Sequence, residues 1–168
     1  MNFNYFALIK KSAFVLFAVV FSCSDSNLKL KTVNASDILK QVESHIDDKS
    51  VLVNFWATNC APCIEEIPWI LELSKRYSDD LKVYFVSTDW LENKKDVIRF
   101  LEKNNIDGIS FLKEEGNDFN FINTINEQWS GAMPFTIIYD KNGNVSSYWE
   151  NIEDKTFFES AVNKALAL

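Results

Sequence analysis

Val51-Leu52-Val53-Asn54-Phe55-Trp56-Ala57-Thr58-Asn59-Cys60-Ala61-Pro62-Cys63 decides the architecture of this 168-residue chain. Val51–Ala57 is a near-continuous β-branched and aromatic run, the pattern of a central strand covered on both faces. Thr58-Asn59 interrupts it and offers side chains able to cap a helix. Pro62 then falls in the first turn of that helix, where its missing N–H costs little. The helix is read over Ala61–Tyr77, with Ile64, Ile67, Leu71 and Tyr77 on one side. Pro68 lies inside it and should kink it. Two cysteines therefore sit where a buried strand hands over to a helix.

Working outward, Leu81–Ser87 reads as a second central strand and Asn93–Asn104 as a helix around Val97, Ile98 and Leu101. Asp107-Gly108 turns the chain before a short strand at Ile109–Leu112. Phe119, Ile122 and Ile125 favour a helix over Asp118–Gln128, although Lys113–Asn126 is acidic and Asn-rich enough to read as a solvated insertion. Phe135–Tyr139 and Val145–Trp149 are strands joined by the hairpin signal Asp140-Lys141-Asn142-Gly143. Asp154–Leu168 closes as a helix around Phe157, Phe158, Ala161, Val162 and Leu166. Upstream, Asp37–His45 reads as a helix carrying Ile38, Leu39 and Val42, with Ser36 as its N-cap, and Asp47–Ser50 as a turn. A βαβ unit followed by a hairpin and a helix predicts an α/β fold, with a central mixed sheet and helices on both faces.

The totals narrow the function classes. With 47% hydrophobic and 14% aromatic residues the chain can build one core, and it is too apolar for disorder. Lys and Arg number 17 against 24 Asp and Glu, a net charge of −7. So acidic a chain has no general grip on phosphates, which argues against a nucleic-acid partner. Three cysteines and one histidine are too few for a disulfide scaffold or a cysteine-rich zinc module.

The N-terminus reads separately. Lys10-Lys11, the apolar run Ala13–Phe21 and the small residue Ser22 describe a secretory signal over residues 1–22. That run is too short to span ~30 Å of hydrocarbon, although a plain transmembrane anchor is the competing reading. Val20-Phe21-Ser22-Cys23 resembles a bacterial lipoprotein lipobox, with bulky Phe21 departing from the commoner pattern. The resemblance implies cleavage before Cys23, lipid on Cys23, and a membrane surface as partner. Residues 23–32, including the polar Ser24–Lys31, are then a tether, and residues 33–168 the folded domain.

Cys60-Ala61-Pro62-Cys63 is the chemical centre. The first cysteine of such a motif at a helix N-terminus faces unpaired N–H groups and the positive end of the helix dipole. Both favour thiolate, and such sites lower a cysteine pKa from ~8.5 into a range of about 3.5–7.5. Cys60 would attack a substrate disulfide and Cys63, one turn on, would resolve the mixed disulfide. The competing readings are a structural disulfide, a zinc half-site short of about two ligands, and two unrelated buried cysteines. His45 is the remaining candidate for such a ligand set. No metal or organic cofactor is expected.

Val53–Cys63 resembles the active-site strand and loop of thioredoxin-fold proteins, and most closely the extracytoplasmic TlpA/ResA-like branch. Asn54 stands where cytoplasmic thioredoxins carry a buried Asp, and Glu66 where this branch places an acid. Pro68 matches the proline of the active-site helix, Met133-Pro134 the cis-proline, and Asp140–Val145 the hairpin. The resemblance implies a three-layer α/β/α sandwich and a protein-disulfide reductase fed by a membrane thiol-disulfide electron donor, often serving apocytochrome c maturation or envelope redox homeostasis. It also implies a redox-active Cys60–Cys63 disulfide, a tuning or proton-relay role for Glu66, and a substrate groove at Trp56, Met133 and cis-Pro134. Two positions depart from the pattern. Asn59 replaces the usual Trp, so an aromatic groove wall is missing or supplied by Trp56 or Trp129. Met133 replaces Thr or Val.

Plainer roles stand beside these. Glu66 also reads as a first-turn acid complementing the dipole, Trp56 as core filler, and Pro134 as a trans loop proline. Trp69, Trp90 and Trp149 read as packing residues. A thioredoxin-fold peroxidase would need Pro-x-x-x-Thr/Ser-x-x-Cys, but Val53 and Ala57 occupy those places. A lipoprotein that only binds a partner is the non-catalytic alternative. Ala61 and Pro62 bring no cation between the cysteines, and Glu65 and Glu66 add negative charge nearby. Both destabilise the thiolate and predict a reducing potential.

Overall fold

The computed structural model describes residues 27–167; the signal, lipobox and Cys23 readings lie outside them. Six strands, β1 (Lys29–Val33), β2 (Ser50–Trp56), β3 (Leu81–Ser87), β4 (Ile109–Lys113), β5 (Phe135–Tyr139) and β6 (Val145–Glu150), form one sheet in the order β1-β4-β3-β2-β5-β6. The first four in that order are parallel to one another; β5 runs antiparallel to β2, and β6 antiparallel to β5. Five helices pack on it: α1 (Ala35–Glu43), α2 (Ala61–Arg76), α3 (Lys94–Lys103), α4 (Asp118–Ile125) and α5 (Lys155–Leu166). Helices α2, α3 and α5 share one core with Leu52, Trp56, Phe85 and Ile138, while α1 and α4 share the other with Val53, Phe55, Tyr84 and Ile137. This is the three-layer α/β/α sandwich with a mixed sheet that the pattern predicts.

The strand β2 is buried along its whole length, as its unbroken apolar run requires in the middle of a doubly covered sheet. Alternation sends Leu52, Asn54 and Trp56 towards α2, and Val51, Val53 and Phe55 towards α1 and α4. Helix α2 continues through Pro68 to Arg76 and presents Cys63, Glu66, Ile67, Ile70 and Leu73 to the sheet. Arg76 pairs with Glu159 and, at 2.7 Å, with Glu72, while Lys155 reaches Glu72 at 2.6 Å, tying α2 to α5. These pairs lie at the surface, where solvent screens them, so they add little to stability. At the β5–β6 turn Gly143 has φ +83, and a Cβ there would lie 2.9 Å from Ile46, so the turn closes onto the segment after α1 only with glycine.

Several boundaries differ from the expectation. Lys29–Lys31 belong to the edge strand β1, not to a tether: Leu30 pairs with Ser110 and Lys31 with Phe111. Alternating lysines on an unpaired edge look like tether in a sequence, yet they are a usual way of blunting such an edge. The N-cap of α1 is Asn34, not Ser36. Its side chain accepts from the Asp37 N–H at 3.0 Å, and Asp37 accepts from the Asn34 N–H, a complete capping box. The segment expected as a solvated insertion holds α4, which buries Phe121 and Ile125 and leaves Phe119 exposed.

Because the capping box is the larger local contribution, Asn34→Ala should cost about 1 kcal/mol in urea unfolding, and Ser36→Ala within about 0.5 kcal/mol of nothing. Equal losses would return the cap to Ser36.

Candidate active site

Cys60 is the N-cap of α2, and its sulfur is bonded to that of Cys63 at 1.99 Å. The pair is thus a disulfide, neither a zinc half-site nor two separate thiols. No side chain caps the helix; the Cys60 carbonyl accepts from the Ile64 N–H at 3.1 Å. The open first turn and the dipole therefore act on the Cys60 sulfur. Cys60 is partly exposed and Cys63 fully buried. An incoming thiol or disulfide can reach the first sulfur and not the second. The ring of His45 is committed elsewhere, with Nε2 2.9 Å from the Tyr84 hydroxyl.

Thr58 does not cap α2. Its N–H and hydroxyl both donate to Asp89, at 2.9 and 2.6 Å, and Ser87 donates to the same carboxylate at 2.8 Å. The Thr88 N–H also donates to the Trp56 carbonyl at 2.8 Å. The end of β3 thereby pins the loop that delivers Cys60. Asp89 is absent from the sequence reading; a Ser-x-Asp just past a buried strand was the available signal, but no local rule says which loop it grips.

Beneath the disulfide lies a buried polar cluster. The β2–β5 register places Asn54 opposite Thr136. Asn54 Nδ2 donates to Thr136 Oγ1 at 3.0 Å and to Glu66 Oε1 at 2.6 Å. Glu66 is 0% exposed, and its Oε2 has no partner among the described residues. Burial raises its pKa to about 8, and the hydrogen bond from Asn54 offsets only part of that rise. At neutral pH Glu66 is a protonated acid one turn from Cys63 on the same helix face. Glu66 therefore adds no negative charge to the site near neutral pH, contrary to the expectation; Glu65, on the same turn, is exposed.

Met133-Pro134 is cis. Pro134 is buried and Met133 partly exposed, and the Thr88 hydroxyl lies 3.0 Å from Met133 Sδ. Met133 and Cys60 both pack against the core formed by α2, α3 and α5. Trp56 is 0% exposed, packed 4.6 Å from Phe100, and so acts as core and not as groove wall. Trp129 is also buried, stacked on Phe135 with its N–H on the Ala132 carbonyl at 2.9 Å. Trp69 and Trp149 pack against Phe158 as expected. Trp90 does not: it is 64% exposed, and it stands with Met133 on the wall of one cavity.

A model of the AhpC/TSA family matches residues 20–158. The chain belongs to the AhpC/TSA family. The chain is 33% identical over 98 residues to the thioredoxin-like protein YneN of Bacillus subtilis, covering 56% of this chain and 52% of that protein. It is 33% identical over 110 residues to the thiol-disulfide oxidoreductase ResA of Geobacillus kaustophilus, covering 64% and 59%. The chain thus spans little more than half the length of these curated relatives. A DsbF homologue from Corynebacterium diphtheriae has the same fold, with a TM-score of 0.61 at 20% identity, over 73% of this chain and 74% of that one. The resemblance to ResA thus reaches beyond the active-site stretch, over 110 residues, and the fold is shared with that solved structure.

Glu66 keeps its proton up to about pH 8 in this AhpC/TSA-family domain, against an ordinary value of 4.5. The folded state then holds a proton that the unfolded state has lost. Stability therefore falls as pH rises through that window, by up to about 1.4 kcal/mol per pH unit, and levels off above it. Urea unfolding of the oxidised chain from pH ~5 to ~8.5 should show this slope flattened in Glu66→Gln. The variant should gain on the wild type with each step up in pH; a pH-independent difference would refute the assignment.

Proposed function

We propose that this chain is an extracytoplasmic thiol-disulfide oxidoreductase that reduces protein disulfides through Cys60 and Cys63. The observation that carries the reading is the bonded pair at an uncapped helix N-terminus, with one sulfur reachable and a protonated acid buried beneath. In the reduced state the Cys60 thiolate attacks a client disulfide, forming a mixed disulfide and releasing one client thiolate. Cys63, deprotonated, attacks the Cys60 sulfur; the protein disulfide closes and the second client thiolate leaves. Two electrons pass to the client. A membrane dithiol donor returns them: one of its thiolates attacks Cys60, the departing Cys63 thiolate takes a proton, and the donor's second thiolate then displaces the Cys60 thiolate and closes the donor's own disulfide. We assign Glu66, one turn from Cys63 on the same helix, as the acid that exchanges that proton. Cis-Pro134 and Met133 form the wall against which a client chain lies.

The similarity to ResA and YneN supports the activity, and the lipobox-like Val20–Cys23 supports an anchored, outward-facing location, with lipid on Cys23 as the membrane attachment. Acyl chains contribute roughly 0.8 kcal/mol per buried CH₂, so two or more hold a protein firmly to a bilayer. Among the described residues no helix is long and apolar enough to cross a membrane. A peroxidase reading meets two buried apolar side chains, Val53 and Ala57, where its chemistry needs Pro and Thr.

Insulin reduction with dithiothreitol as donor should be abolished in Cys60→Ser, whereas Cys63→Ser should accumulate mixed disulfides in the cell envelope. A Cys60→Ser variant with wild-type turnover would overturn the reading. The measured reduction potential should fall towards the thioredoxin end, about −270 mV, and not the strongly oxidising end near −120 mV. Cys23→Ala should move the full-length protein from the membrane fraction to the soluble one.

A further inference from the structure

Beside Met133 the surface opens into a cavity of about 230 Å³. Its apolar lining includes Trp90, Phe121, Ile122 and Met133, and Glu114 and Glu115 stand among its polar residues. Three separate segments build it: the loop after β3, the end of β4 with α4, and the loop into β5. Gly131 holds the last of these close to α4, with φ +95 and a Cβ position 3.1 Å from Ile122.

Two links join this cavity to the disulfide. Met133 precedes cis-Pro134, and Asp89, also in the lining, holds the loop that carries Cys60. Resting on the oxidoreductase reading, we infer that the cavity is a client subsite, taking an apolar side chain from an extended segment that also carries arginine or lysine.

The charge balance selects that occupant. Lys113 is spent within the wall, 2.6 Å from Asp118 and 5.3 Å from the centre of the Phe121 ring. The Asp89 carboxylate accepts from Thr58 and Ser87 and is buried. Glu114 and Glu115 are exposed and form no ion pair among the described residues. The mouth is therefore anionic over an apolar floor. An anionic client would be repelled, while a guanidinium can meet Glu114 and Glu115 and stack on the exposed Trp90 face. Extended chain alternates its side chains, so one residue can fill the cavity while its neighbours face the acidic rim.

Binding can be read without any redox step. A cysteine-free peptide of about ten residues, carrying one leucine flanked by arginines, is titrated against the full chain by calorimetry beside its arginine-to-glutamate counterpart. The basic peptide should bind at least tenfold more tightly, and the preference should shrink as salt is raised. Glu114→Lys combined with Glu115→Lys should abolish or invert the preference, and Trp90→Ala should weaken the basic peptide at least fivefold. Equal affinity for the two peptides, or a preference unchanged in both variants, would overturn the inference. Insulin reduction measured alongside reports on the oxidoreductase reading separately: its absence with peptide discrimination intact would sink that reading and leave the subsite standing.

Discussion

Burial of the Glu66 carboxyl between α2 and the sheet is the constraint around which the site is arranged. An ionised carboxylate with one unpartnered oxygen could not be held there without a large desolvation cost. The side chain therefore carries a proton, and Asn54, itself held by Thr136, supplies the polar contact to it. Replacing Asn54 by an apolar residue would strand that acid; placing a second carboxylate there would set two acids in competition for one proton. The identity of the residue in the middle of β2 thus decides how the group beneath the disulfide titrates.

Fold and chemistry meet at the β2–α2 junction. A strand buried on both faces is a rigid base, and the uncapped helix that follows directs its free N–H groups at Cys60. Rigidity alone would not aim the loop between them. Asp89 does that from the neighbouring strand by gripping Thr58 through two hydrogen bonds. Cys60 is partly exposed and Cys63 is enclosed by the core, so the two identical side chains have different chemistry available to them. The same β3 loop that fixes the Cys60 segment presents Trp90 to solvent and lines the cavity beside Met133, so one loop serves both places.

Much of the site was legible in residue order. The Val51–Ala57 run, the interruption at Thr58-Asn59 and the Pro62 signal place Cys60 at a helix start, and the structure agrees to within a residue. Met133-Pro134 was legible through its resemblance to a known pattern, and its cis bond accords with that. Thr58 reads as a helix cap because its type favours caps; in the fold, a better acceptor from β3 claims it. Lys29–Lys31 reads as tether because it is short and charged, and only pairing with β4 makes it part of a strand. Trp90 reads as packing because tryptophan usually is. No pattern local to residue 90 reports that the loop turns it outward.

What the chain determines by itself is local. Periodicity puts Glu66 on the same helix face as Cys63, the apolar run makes β2 central, and the prolines and glycines mark where elements start and turn. The rest depended on residues far apart in sequence arriving side by side. Thr136 reaches Asn54 across 82 positions and Asp89 reaches Thr58 across 31, and both contacts follow from strand order and register. Backbone preference acts over a few residues, whereas register is set by how two opposite faces of one sheet bury their side chains together. That collective choice turned a motif into a site.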